Sequence, residues 1–250
     1  MPGFPNLRDD ALSFSPYKCV PMWKRILMGA CCLVAAHASS RPELTETEMK
    51  WLKAGAPVLA YAREQKLPVD IIVQPQDAAG EAPLAMGYVD GRCKLVLSMR
   101  GNKDAEAALV DVAPALVPVL IEAMVAHELG HCWRYAQGAW HTLPAGFVSA
   151  ADDKHDKEIA EKLREMRDTR REEGLADLIG LAWTLKRHPE LYSQVHAWLE
   201  GIRADQPVPG SHHDTRVWVR LAKDPSAFPA GATPFAQAWP LWQRGLLSDD

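Results

Sequence analysis

A long apolar run crosses the middle of the chain between Val117 and Trp133. Its apolar residues point to nearly every side of a helical wheel, which is typical of a helix buried in a protein core. His127, Glu128 and His131 interrupt the second half of this run, and each has a high cost of burial. The apolar members are Val117, Val119, Leu120, Ile121, Ala123, Met124, Val125, Ala126 and Leu129.

The chain before this helix has the signals of one helix and a small sheet. Thr45 and Glu48 have the spacing of a capping box, and we expect the helix that they open to run to about Lys66. Pro57 is expected to kink that helix or to divide it in two. Three β-rich segments follow, the last two joined by the tight-turn pair Asp90-Gly91. They are Val69–Val73, Leu84–Val89 and Cys93–Met99.

Beyond the apolar run the pattern is helical throughout. A charged segment, Asp153–Arg171, predicts a solvated helix in which Glu158 and Lys162 can pair. Three further helices are predicted, with prolines between them as breaks. These helices are Leu175–Lys186, Leu191–Ile202 and Thr215–Ala222. The sequence therefore predicts an α+β fold in which a small mixed sheet packs on the buried helix, followed by a mostly helical C-terminal part. Residues 39–250 suit one domain.

His127, Glu128 and His131 form the pattern His-Glu-x-x-His. Residues four apart share one face of a helix, so the two imidazoles can bind one metal ion while Glu128 stands beside them as a base. A bound divalent cation is the simplest partner that would satisfy all three groups in a buried place. The alternative is that both histidines are core residues bonded to backbone carbonyls, with Glu128 at the solvent edge.

A catalytic zinc site takes three protein ligands and leaves one position for water. Arg134 and Gln137 occupy the positions where an extended metzincin pattern would need Gly and His, and His141 gives only a shifted imitation of it. A later segment, Arg171–Gly180, places Glu173 and Asp177 on one helix face.

The third ligand therefore has more than one candidate. Glu172 is an alternative to Glu173, because it lies closer to the centre of the stripe formed by Leu175 and Ile179. Both carboxylates could instead belong to the solvated end of the charged segment. His141 remains the weaker alternative.

With these two patches the chain resembles the gluzincin metallopeptidases, in which His-Glu-x-x-His is followed by a helix carrying Glu-x-x-x-Asp. Glu173, Asp177 and Gly180 stand at the matching places. The resemblance implies a zincin-like fold and a Zn²⁺ ion held by His127, His131 and Glu173. It also implies that Asp177 orients a histidine ligand, His127.

The same resemblance bears on the substrate. In that family an edge strand borders the cleft and pairs with an extended peptide, and the resemblance makes Cys93–Met99 the candidate strand. A plain core strand is the alternative for this segment.

The segment Gly210–Asp214 contains a candidate for stabilising the transition state. It lies where many gluzincins supply such a residue, and His213 could donate a hydrogen bond to the oxyanion. Asp214 could fix the tautomer of that histidine or cap the following helix. A surface loop is the alternative for the whole segment, and Tyr135 is a second candidate for the same task.

The N-terminal residues resemble an export signal. Met22 is a plausible start, because Lys24 and Arg25 precede an apolar stretch that ends at an A-x-A site at Ala38. Residues 1–38 are therefore predicted to be an N-terminal extension and signal peptide, which implies a bacterial periplasmic or secreted protein. The stretch is short for a bilayer span, so no stable membrane anchor is expected. Cys31 leaves a lipoprotein as the alternative.

Charge and cysteines complete the picture. The chain has 28 basic and 32 acidic residues, a net charge of −4, and no basic footprint for nucleic acid or membrane. Removal of the signal would leave Cys93 and Cys132, which an oxidising compartment allows to pair. Two buried free thiols are the alternative.

The sequence thus predicts an exported zinc metallopeptidase of residues 39–250 that acts on peptide or protein substrates, with Glu128 as general base. One alternative is a non-catalytic zinc module or pseudo-peptidase, in which a fourth protein ligand such as His141, His155 or His213 replaces water. Another is a zinc hydrolase of cell-wall peptides.

Overall fold

The structure is a computed structural model that describes residues 43–248, except 77, 79, 106, 150–155 and 205–207. The predicted signal peptide with its start at Met22, its cleavage after Ala38 and the lipoprotein alternative at Cys31 lie outside the described residues, as does His155. Within the described ranges, no helix has both the length and the apolar character that a membrane crossing requires.

The described residues form six α-helices and one three-stranded sheet, so the predicted α+β class is confirmed. Short 3-10 turns join several of these elements. The strands are β1 (Val69–Pro75), β2 (Leu84–Val89) and β3 (Arg92–Arg100). The helices are α1 (Glu46–Glu64), α2 (Val117–Ala136), α3 (Lys157–Arg187), α4 (Tyr192–Ala204), α5 (Arg216–Leu221) and α6 (Pro234–Leu246).

Helix α1 begins as predicted. The Thr45 hydroxyl accepts a hydrogen bond from the Glu48 backbone N–H, and the Glu48 carboxylate accepts one from the Thr45 N–H. Glu48 is fully buried and also pairs with Arg100 of β3 at 2.9 Å, which ties the helix start to the sheet. Pro57 lies inside the helix without dividing it.

The sheet has the order β1-β3-β2, with β1 parallel and β2 antiparallel to β3. Asp90 and Gly91 join β2 to β3 with positive φ angles of 52° and 73°, as a two-residue hairpin requires. The assignment of Cys93–Met99 as an edge strand is wrong, because this segment lies at the centre of the sheet and most of it is buried. Its alternative role as a core strand is confirmed, and β2 is the edge strand on that side.

Helix α3 joins two segments that the sequence suggested were separate helices. Its first half is largely exposed, and from Arg171 to Thr184 every residue is buried. Gly174 does not end the helix. A Cβ at this position would lie 2.4 Å from the Trp218 ring, so the glycine makes room for a packed indole.

Helix α2 packs on α3 at short range, and two glycines permit this contact. A Cβ on Gly130 would lie 2.9 Å from Cδ1 of Ile179, and one on Gly180 would lie 2.8 Å from the Ala123 carbonyl oxygen. Helix α2 is also joined to β3 by a disulfide between Cys93 and Cys132. The alternative of two free thiols is therefore wrong.

Candidate metal centre

Helix α2 presents His127 and His131 one turn apart on the face that looks toward α3. Their Nε2 atoms are 3.1 Å apart, and the rings stand nearly perpendicular at 87°. Neither ring contacts a backbone carbonyl in the hydrogen bonds of the described residues, and Nδ1 of His131 is buried without a hydrogen-bond partner. This arrangement differs from that of core histidines bonded to carbonyls, the alternative considered from the sequence.

Glu173 of α3 completes a three-residue group with the two histidines. Its Oε2 lies 3.3 Å from Nε2 of His127, and its Oε1 lies 3.3 Å from Nε2 of His131. The three ligand atoms lie within 4.8 Å of one another, and no other such group of His, Cys, Asp or Glu occurs among the described residues. The side chains come from two helices whose close packing holds them together.

Glu172 does not reach this group. Its carboxylate forms a buried ion pair with Arg134, at 2.8 and 2.9 Å, and accepts a hydrogen bond from the His141 backbone N–H at 2.8 Å. His141 does not join the group either, because its Nε2 lies 3.2 Å from the Thr169 hydroxyl. Glu172, the residue nearest the centre of the apolar stripe on α3, thus pairs with a buried arginine, and its neighbour Glu173 lines the cavity.

Asp177 lies one turn after Glu173, and its Oδ1 is 2.9 Å from Nδ1 of His127. The carboxylate also accepts two hydrogen bonds from Arg203, at 2.8 and 2.7 Å, and one from the Thr215 hydroxyl. These contacts fix the His127 ring with Nε2 directed at Glu173. Arg203 and Thr215 were not predicted from the sequence, since neither belongs to a local motif and both approach Asp177 only through the packing of α4 and α5 on α3.

Negative charge prevails around the two imidazoles. Burial lowers the pKa of His127, but hydrogen bonds to Asp177 and Glu173 outweigh this effect and raise that pKa to about 10. For Glu173 burial acts in the opposite direction, yet the two histidines hold the pKa of its carboxyl well below the ordinary value. The site therefore favours positive charge beside the two carboxylates, which a proton on His127 or a divalent cation would supply.

Glu128 points into the same cavity and is 9% exposed. Burial raises the pKa of its carboxyl above 4.5, and the nearby histidines only partly offset this effect. A carboxylate whose pKa is raised toward neutrality is suited to accept and return a proton.

His213, predicted as a transition-state residue, lies at the rim of the cavity. Its Nε2 is 3.6 Å from Oε2 of Glu173, and its side chain is 57% exposed. Partial desolvation lowers the pKa of the ring, so the imidazole is neutral near pH 7. Asp214 does not take either of its predicted roles, because its carboxylate accepts hydrogen bonds from the Gly210 N–H and the Arg216 guanidinium. It thereby closes the turn that carries His213.

These residues open into one cavity of about 420 Å³. One wall is the start of β2, at Leu84, Ala85 and Met86. His127, His131, Glu173, Glu128 and His213 also line it. Tyr135 and Trp140 line it as well, and Trp140 packs edge-on against the His131 ring. The apolar part of the lining includes Trp51, Ala123, Met124, Leu181, Trp198, Leu199 and Ile202.

The donor set fits zinc better than magnesium or calcium. Two imidazole nitrogens and one carboxylate are the ligand types of catalytic zinc sites, whereas magnesium and calcium prefer oxygen ligands throughout.

No protein family, curated protein or solved structure matches the chain.

Proposed function

We propose that this protein is a zinc metallopeptidase with a zincin-like fold. The observation that carries the proposal is the convergence of His127, His131 and Glu173 in one cavity with a buried carboxylate, Glu128, beside them. Zinc would be held by those three side chains, which leaves one position of a tetrahedral set for water. When bound, zinc lowers the pKa of its water and polarises a carbonyl group.

Glu128 supplies the proton transfers of hydrolysis. As a carboxylate it accepts a proton from the attacking water, and as a carboxylic acid it returns that proton to the leaving amine. Its raised pKa brings the two forms closer in energy near neutral pH. Asp177 keeps Nε2 of His127 free for the metal, because its carboxylate accepts the hydrogen bond from Nδ1–H.

His213 is the candidate donor to the oxyanion. A neutral imidazole carries one N–H, and the ring stands at the cavity rim with Nε2 near Glu173. A hydrogen bond from this N–H to the developing negative charge would lower the barrier. The exposed side of the ring allows it to turn toward a substrate.

Strand β2 is the candidate for binding the substrate backbone. It is the edge strand that borders the cavity. One side of it pairs with β3, and its other side faces away from the sheet. An extended peptide can add to such an edge through main-chain hydrogen bonds. We therefore expect a peptide or protein substrate to bind along this wall, in the same cavity as Glu128 and the proposed zinc site. Export to the periplasm or medium remains a prediction from the sequence.

The proposal is tested with purified full-length protein by measuring bound zinc and the cleavage of a peptide pool. We expect one zinc per chain and cleavage by the wild type. Glu128→Gln keeps the size of the side chain, so it should retain zinc and lose at least about a hundredfold in rate. His127→Ala should lose both zinc and activity. Cleavage by Glu128→Gln at the wild-type rate would contradict the role of Glu128.

A further inference from the structure

Four aromatic rings form a continuous stack beside the cavity. The centroids of Tyr88 and Tyr135 are 5.3 Å apart with planes within 5°, and those of Tyr135 and Trp140 are 4.1 Å apart at 17°. His141 covers the next position at 5.0 Å from Trp140. These four residues, named here the aromatic stack, come from β2, from α2 and from the loop after α2. The stack therefore bridges the gap between the edge strand and the metal-binding helix.

The aromatic stack marks where the cavity ends. On β2 the residues that line the cavity stop at Met86, two positions before Tyr88. On α2 they stop at Tyr135, and none of the described residues further along either element lines it. Trp140 stands edge-on to the His131 ring at 5.5 Å, so this wall comes directly beside a proposed zinc ligand.

Buried polar groups hold the part of the aromatic stack formed by Trp140 and His141 in place. The Arg134 guanidinium donates to the Thr142 carbonyl at 2.6 Å, and the His141 backbone N–H donates to Glu172 at 2.8 Å. Arg134 and Glu172 are themselves a buried ion pair. The two residues that follow Trp140 thus anchor its loop to α2 and α3. This anchoring distinguishes a fixed wall from a lid.

The wall leaves little length for a substrate. Helix α2 rises about 1.5 Å per residue, so Tyr135 lies about 6 Å beyond His131 along the helix. An extended peptide advances about 3.3 Å per residue. Tyr88 of β2 stacks on Tyr135, and earlier residues of both elements line the cavity together. A chain bound along β2 therefore has room for about two residues between the metal and the aromatic stack.

We propose that the aromatic stack makes this protein an exopeptidase, which cleaves within about two residues of one end of its substrate. The inference rests on the proposed peptidase function and adds the substrate class: peptides with a free terminus, in place of internal sites in folded or long chains. The rest of the cavity, with its apolar lining, accommodates the remainder of the substrate near the scissile bond.

The test is a peptide ladder, built on one cleaved sequence and lengthened one residue at a time at either end. The products are identified by mass spectrometry for the wild type and for Tyr88→Ala and Trp140→Ala. Tyr88→Phe and Trp140→Phe are the matched controls, because they keep a ring in the stack. Zinc content and melting temperature are measured for each variant, so that a folding defect is recognised.

We expect the wild type to cleave only within about two residues of one terminus, wherever the ladder ends. The alanine variants, with zinc retained, should raise the ratio of internal to terminal cleavage by about tenfold, and the phenylalanine variants should not. Internal cleavage of long peptides by the wild type would overturn the exopeptidase proposal and leave the peptidase intact. The absence of any cleavage by zinc-loaded protein would overturn both.

Discussion

At the scale of single residues, Asp177 connects the proposed metal site to the rest of the molecule. Its carboxylate accepts hydrogen bonds from His127, Arg203 and Thr215, which lie on α2, on α4 and just before α5. Such contacts fix the orientation of a metal-binding side chain, as those of Asp177 do for His127. Burial disfavours the charge of both carboxylates, and for Glu128 this effect prevails and raises the pKa, whereas Arg203 and His127 lower the pKa of Asp177. Two carboxylates of one cavity are thereby suited to different tasks.

The pKa of Glu128 makes a prediction about pH. Burial raises it above 4.5, and only the ionised form can act as a base. Activity should therefore be full above this raised pKa and fall as the pH decreases through it. The measurement is kcat/KM against pH, with zinc content determined at each point as a control. An acid limb at or below pH 4.5 with zinc still bound would contradict the assignment.

The sequence was sufficient for part of this site and insufficient for the rest. His127, Glu128 and His131 share one helix, so their proximity follows from local spacing alone. The choice between Glu172 and Glu173 depended on which of them lies beside the two histidines, and the helical wheel favoured the residue that pairs with Arg134. Only the resemblance to a known pattern favoured the residue that the structure places beside the histidines.

At the scale of elements, the site depends on two helices that approach each other closely. Helix α2 carries the two histidines and α3 carries Glu173, and Gly130 and Gly180 lie at their contact. The strands and the α1 cap were predictable because their signals are local, as in the Asp90-Gly91 turn. The continuity of α3 and the presence of α6 could not be predicted in this way, because both depend on packing between residues far apart in the sequence. Trp218, for example, packs against Gly174.

Gly180→Ala tests the helix contact. The new Cβ would lie 2.8 Å from a backbone oxygen of α2, which cannot move without shifting the helix. We expect a loss of about 1–3 kcal/mol of stability and weaker zinc binding. Gly201→Ala is the matched control, because a Cβ there meets nothing within 4 Å and alanine favours a helix. Thermal unfolding and zinc titration measure both variants, and an unchanged Gly180→Ala protein would count against the tight contact.

At the scale of the whole molecule, several elements of the chain meet at the proposed zinc site. Its proposed ligands come from α2 and α3, Arg203 comes from α4, and the disulfide joins α2 to β3. A cation that binds only the folded state shifts the unfolding equilibrium toward that state by mass action. The cost of leaving several carboxylates together without that cation is already contained in the Kd.

Removal of the metal should therefore lower the melting temperature. At a free zinc concentration a thousandfold above Kd, the bound ion contributes about 4 kcal/mol, which corresponds to about 10 °C in a domain of this size. The comparison is wild type with and without a chelator, followed by restoration with zinc. His127→Ala should show no response to either addition. A wild-type protein that melts at one temperature in all three conditions would contradict the claim that bound zinc stabilises the fold.

The central claim is that His127, His131 and Glu173 hold one zinc with a fourth position open, and a crystal structure with anomalous data at the zinc edge tests it most directly. We expect one peak about 2.0–2.2 Å from two Nε2 atoms and a Glu173 oxygen, with water as the fourth ligand beside Glu128. A fourth protein ligand, such as His213, would show a closed structural site and contradict the peptidase. A zinc-loaded crystal with no peak at these residues would contradict the metal centre itself.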